Sequence, residues 1–122
     1  MRLVYIAGPY RAASPWQVEQ NIRAAEDLAV KVHAAGMFAV CPHANSRHME
    51  GVADDAHFLV GTLELMRRCD AVILTRNWRT SSGALAEVAE ATRIGIPVFG
   101  RAQTETNDGG ALDGLINWST SP

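Results

Sequence analysis

The chain has 122 residues, 48% of them hydrophobic, and a formal net charge of -2. That length suits a single domain, residues 1–122, and leaves little room for a second. The sequence shows no basic stripe of the kind nucleic acids select, no apolar run long enough to span a bilayer, and only two cysteines, too few for a disulfide framework.

Leu3 to Ala7 is a short, nearly continuous apolar run, as expected of a parallel strand buried on both faces. The opening segment is too short for a signal peptide, which leads to the expectation of a cytoplasmic protein. Gly8-Pro9 ends the strand. Ser14-Pro15 is a helix start, with serine as cap and proline at the first helical position. Val18, Ile22, Ala25, Leu28, Val32 and Ala35 then recur three or four apart, and Gly36 stops the helix. Met37 to Cys41 reads as a second strand. Pro42 to Asp55 is a long polar loop without a clean period, the kind of segment that often carries function. Leu59, Leu63 and Met66 mark one face of a helix ending near Arg67-Arg68. Asp70 opens the strand Ala71 to Thr75. Arg76 to Ser82 is a loop, Ser82 is the expected cap of a helix running to about Ile94, and Gly95 ends it. Ile96 to Phe99 is a last strand. Residues 101–122 read as a mobile or subunit-contacting tail that includes a short helix, Ala111 to Trp118.

Alternating short apolar strands and helices predict a doubly wound α/β fold, flavodoxin-like or Rossmann-like. A mostly parallel sheet of four to five strands should carry helices on both faces. In such folds the ligand lies beyond the carboxyl ends of the strands, where the strand order switches direction. Polar groups gather at three of those ends. Gly8, Tyr10 and Arg11 offer a tight turn, an aromatic face and a guanidinium able to pair with phosphate. His43 and Asn45 follow the second strand. After the third come Trp78, which either stacks on a base or packs the loop, and Ser81, Ser82 and Gly83, which either hold an anion or simply cap a helix. No dinucleotide fingerprint and no phosphate loop are present. The spacings of His43, His48, Asp54, Asp55 and His57 match no standard metal site. With Ser82 as cap, Glu90 and Arg93 point to solvent, and Glu87 lies at the border of the helix beside Gly83, Ala84 and Ala91. Small neighbours leave room for a ligand there; the alternative is a solvated surface carboxylate. Tyr5, inside the first strand, needs a partner for its hydroxyl, either a carboxylate such as Glu87 or a backbone group.

Three stretches carry a resemblance. They are Val4-Tyr5-Ile6-Ala7-Gly8-Pro9-Tyr10, then Cys69-Asp70-Ala71-Val72-Ile73-Leu74, then Ser81-Ser82-Gly83-Ala84-Leu85-Ala86-Glu87 with Ala91 and Gly95-Ile96-Pro97-Val98. Over roughly Leu3 to Phe99 the chain resembles the nucleoside 2-deoxyribosyltransferase-like superfamily. Within it, the motifs are most similar to the nucleoside 5'-monophosphate N-glycosidase branch and its small bacterial and phage relatives. The resemblance implies that Glu87 is the nucleophile at the anomeric carbon and that Tyr5 holds it. It also implies that Ser81, where transferases acting on free nucleosides carry aspartate, contacts a 5'-phosphate. No cofactor is implied, and the assembly implied is a homodimer. One position departs from the pattern: Thr62 stands where the superfamily places an aspartate near the leaving base, so that either Asp54, Asp55 or His57 takes its part or activity is slow or lost. The expected function is cleavage or transfer of an N-glycosidic bond. The alternatives are a non-catalytic nucleotide-binding or regulatory domain on the same scaffold, and a partner-binding domain without a small ligand.

Overall fold

In the computed structural model, which describes residues 1–121, the apolar runs form strands β1 (Leu3–Ala7), β2 (Phe38–Val40), β3 (Ala71–Leu74) and β4 (Val98–Phe99). They pair in parallel, in the order β2-β1-β3-β4. The sheet has four strands, the lower end of the expected range. The chain moves from β1 to one side and then returns past it to the other. The order therefore switches direction between β1 and β3, and a crevice opens above their carboxyl ends.

Alternation along β1 sends successive side chains to opposite faces. Val4 and Ile6 pack with Ala71 and Ile73 under α1 (Pro15–Ala34) and α5 (Ala111–Ser119). Tyr5 and Ala7 face the other way with Val72 and Leu74, under α3 (Asp55–Arg67) and α4 (Ser82–Ile94). Both faces of β1 and β3 are thus buried, which is why these strands read as continuous apolar runs rather than alternating ones. A four-residue helix, α2 (Pro42–Asn45), opens the polar loop after β2.

Local signals explain most boundaries. Ser14 caps α1, accepting from the Gln17 N–H, and Asp54 caps α3, accepting from the His57 N–H at 2.8 Å. Gly95 ends α4 in the left-handed conformation, φ 84°. One expectation is corrected: the cap of α4 is Ser81, whose Oγ accepts from the Ala84 N–H at 3.1 Å, and Ser82 is the first helical residue. Glu90 is also not a free surface group. Its carboxylate joins Arg67 of α3, 2.6 Å away, to Arg93 of α4, 2.5 Å away, and the two guanidinium groups hold it down at about 2.

The segment after β4 is tied to the end of β3. The buried Gln103 donates to the Leu74 carbonyl at 2.8 Å, Arg76 donates to the Glu105 carbonyl at 2.7 Å, and Arg79 donates to the carbonyls of Arg101 and Gln103. Trp118 packs within its own chain, against Phe99 and under the Arg2 guanidinium. Cys41 and Cys69 are both free; Cys69 is buried and Cys41 half-buried. Among the described residues no helix is long and apolar enough to cross a membrane.

Candidate functional site

A cleft of about 510 Å³ lies above the switch point, between the start of α3 and the start of α4. Gly8 makes the switch point possible. A Cβ there would meet Thr75 Oγ1 at 2.0 Å, so only glycine lets the end of β1 lie against the end of β3.

Glu87 and Tyr5 form the floor. Glu87 reaches in from the second turn of α4 and is 6% exposed; Tyr5 rises from β1 and is fully buried. The Tyr5 hydroxyl donates to Glu87 Oε2. Burial pushes the Glu87 carboxyl up to about 7, while hydrogen bonds from Tyr5 and Thr62 pull the other way. Burial, and then the charge of Glu87, push the Tyr5 phenol far above its ordinary range, so it remains a proton donor. Thr62 lines the cleft from α3. Its hydroxyl stands beside both groups and donates to the Leu59 carbonyl at 3.2 Å. No cation faces Glu87 among the described residues, so this carboxylate is buried with hydroxyl partners alone. Such an arrangement works against stability when ionised, and it marks a functional group more often than a structural one.

The wall toward α4 consists of Thr80, Ser81, Ser82, Gly83 and Ala84. Ser81 Oγ is occupied as an acceptor by the cap, and its proton remains free to donate. The N–H groups of Ser82 and Gly83 belong to the first turn, where no helix carbonyl reaches them. An added Cβ on Gly83 would meet nothing of the chain closer than Ser81 Oγ at 3.8 Å, so its smoothness serves the cleft and not the packing.

The opposite wall comes from β1, β2 and the polar loop. The Tyr10 hydroxyl accepts from the His48 N–H at 2.7 Å, and Tyr10 and Glu50 hold each other: the phenol keeps the Glu50 carboxyl below its ordinary range. Arg11 lines the cleft but pairs with Asp55 at 2.5 Å, so the guanidinium expected for phosphate is already engaged. His43 lines the cleft from beneath. Its Nε2 lies 3.1 Å from the Gly8 carbonyl and 2.9 Å from that of Pro9, which assigns the ring proton to Nε2 and makes the histidine a pin for the turn. Burial lowers its pKa, and its Nδ1 is buried without a partner.

Two expected residues lie elsewhere. Asn45 sits exposed at the end of α2 and does not line the cleft. Trp78 is 7% exposed in the core beneath α4, with Arg79 over its ring; it has no face to offer a base. Of the three groups that might replace a carboxylate at Thr62, only Asp55 lines the cleft, since Asp54 is spent as a helix cap and His57 packs edge-on against Phe58. Sequence reasoning missed Glu50 and Phe58. Glu50 sits in an aperiodic loop, and Phe58 was hidden by its place one residue before the apolar stripe of α3; only the long polar loop as a whole was a signal.

The sequence model of a family described as Domain of unknown function (DUF7768) matches residues 2–101. Among solved structures, the chain is similar to a 2-desoxiribosyltransferase from Leishmania mexicana. That match has a TM-score of 0.56 and 17% identity, and it covers 81% of this chain and 63% of the other. It is also similar to a 2-deoxyribosyltransferase from Bacillus psychrosaccharolyticus, with a TM-score of 0.57 and 16% identity, covering 79% of this chain and 69% of that one. At these identities the likeness is one of fold, and the chain spans less than two thirds of the length of the Leishmania protein. No curated protein matches the sequence.

Proposed function

The chain belongs to the family described as Domain of unknown function (DUF7768), and we propose that it cleaves or transfers the N-glycosidic bond of a nucleoside 5'-monophosphate, with Glu87 as the nucleophile. The observation that carries this reading is the buried, cation-free carboxylate on the floor of a cleft, held by the Tyr5 hydroxyl. A carboxylate with a pKa of about 7 is substantially ionised near neutral pH, and desolvation makes it a better nucleophile than one in water. Its oxygen attacks the anomeric carbon as the base departs, and water or a second base resolves the glycosyl-enzyme. Tyr5 fixes the orientation of the attacking group through Oε2. The deoxyribosyltransferase fold of the two similar structures supports the same reading.

The phosphate is assigned to the α4 wall. Ser81 and Ser82 hydroxyls and the N–H groups of the first turn are neutral donors, and they favour an anion without a cation in attendance. Calorimetry should therefore show tighter binding of a nucleoside 5'-monophosphate than of the matching nucleoside. Equal affinities would remove the phosphate assignment.

The decisive test is Glu87→Gln, which keeps the size of the side chain and an acceptor for Tyr5. Turnover, scored as released base, should fall by about a thousandfold or more while the fold survives. Glu64→Gln, at an exposed position on α3, is the control and should leave turnover near that of the wild type. A second reading, a non-catalytic nucleotide-binding domain, is favoured by Thr62, which is no acid for a leaving base. It predicts binding that depends on Glu87 and no release of base from any nucleotide.

A further inference from the structure

The protons available in the cleft restrict which base can leave it. A neutral base departs from an anomeric carbon as an anion unless an acid protonates it. Tyr5 gives its proton to Glu87, and the single Thr62 proton is shared between Glu87 and the Leu59 carbonyl. Ser46 donates to the Pro42 carbonyl at 3.2 Å. His43 keeps its ring proton between two carbonyls, leaving Nδ1 bare. Tyr10 is engaged with the Glu50 carboxylate, and Asp55 accepts from Arg11. The uncommitted hydroxyls, Ser81 and Ser82, lie at the α4 wall and are far too weak as acids.

Charge and shape point the same way. Three carboxylates line the cleft, Glu50, Asp55 and Glu87, against one guanidinium already paired with one of them. Besides Tyr5 on the floor, the aromatic rings of Tyr10 and Phe58 line it as well. The sheet order separates the two ends: Ser81 to Gly83 follow β3, whereas Tyr10 follows β1 and Glu50 follows β2. The end away from the serines is thus acidic and aromatic, the surroundings that hold an organic cation.

We propose that the substrate is an N-glycoside whose base is a cationic, pyridinium-type ring. This rests on Glu87 being a glycosidic nucleophile. Such a base needs no acid. A Glu87 oxygen forms a bond to the anomeric carbon, the carbon–nitrogen bond breaks with its electron pair going to the ring nitrogen, and the ring leaves as a neutral pyridine. Water then attacks the same carbon, the carboxylate leaves with its electron pair, and the proton lost by the water goes to solvent. Thr62, an obstacle for a neutral base, is then no obstacle.

The test uses the whole chain and four ribose-matched probes: nicotinamide mononucleotide, its reduced and uncharged dihydropyridine form, cytidine monophosphate and adenosine monophosphate. Nicotinamide mononucleotide should release its base fastest. Because a pyridinium bond is intrinsically labile, a rate ratio alone does not decide the matter, and Glu50→Gln does. That variant should lower kcat/KM for the pyridinium nucleotide about tenfold while changing affinity for the reduced form by less than about twofold. Glu50 is exposed, so its loss should not unfold the chain. Cytidine or adenosine monophosphate cleaved as fast as the pyridinium nucleotide would overturn this inference and leave the glycosidase reading intact. A Glu50→Gln enzyme as fast as the wild type on the pyridinium nucleotide would overturn the assignment of the acidic end to the base. Release of base from none of the probes would overturn both readings together.

Discussion

Glu87 ties stability and the proposed activity to one titration, with opposite signs. Its ordinary value is 4.5 and its folded value about 7. Below pH 4.5 the carboxyl is protonated in both states. Between 4.5 and 7 the unfolded chain releases a proton that the folded chain keeps, so stability falls as pH rises, by about 3 kcal/mol in all, and this contribution is level above 7. Denaturant melts across that window should show the fall in the wild type and lose it in Glu87→Gln, which becomes the more stable protein at pH 8. A wild-type curve with the slope of the variant would mean that the carboxylate ionises as freely as one in water. Turnover should rise over the same window, since the nucleophile is the ionised form. Tyr5→Phe removes a hydrogen bond that favours the charged form, so the rise in rate should move alkaline by about one pH unit. A role in packing alone would lower stability and leave the profile in place.

At the level of elements, α3 and α4 both border the cleft, and Glu90 fastens one to the other through Arg67 and Arg93. This carboxylate has the opposite sign to Glu87. Its folded value, about 2, lies below its ordinary 4.5, so its contribution is present in full above pH 4.5 and disappears as pH falls through 2. Glu90→Gln should therefore lower the thermal midpoint at pH 7 and converge on the wild type in strong acid. A constant gap between the two at every pH would show that the ion pair is not what holds the helices. Periodicity identified both helices but could not see this link. Taken alone, α4 appeared to turn Glu90 outward, and only the position of Arg67 on a different helix turns it into a clasp. The same limit moved the cap of α4. Ser81 and Ser82 are chemically equal candidates, and the 3-10 turn Trp78–Thr80 decides which one arrives with extended backbone.

For the whole molecule, we propose a homodimer. Val60, 65% exposed on α3, and Leu85, 45% exposed on α4, leave apolar side chains in water on two helices that border the cleft. Light scattering at working concentration should give twice the mass of the chain, and the double variant Val60→Asp, Leu85→Asp should give a single chain. A wild type with the mass of one chain removes the proposal.

The α/β class, the run of strands and helices and the ends at which polar groups gather were legible in the amino-acid order. They depend on local signals: apolar runs, caps such as Ser14, and stops such as Gly95. That the phenol of Tyr5 needs an acceptor was legible from its residue type, but Glu87 and a backbone group stood as alternatives, and only the family resemblance paired the two residues. Tertiary structure alone decided what those residues face. Eighty-two positions separate Tyr5 from Glu87, and their contact exists because β1 and β3 are adjacent and α4 crosses above them. It also withdrew Trp78 into the core, turned Asn45 to solvent, engaged Arg11 with Asp55 and brought Glu50 to the cleft. No local pattern encodes these placements, because each is set by a group brought close by the strand order and not by the chain on either side.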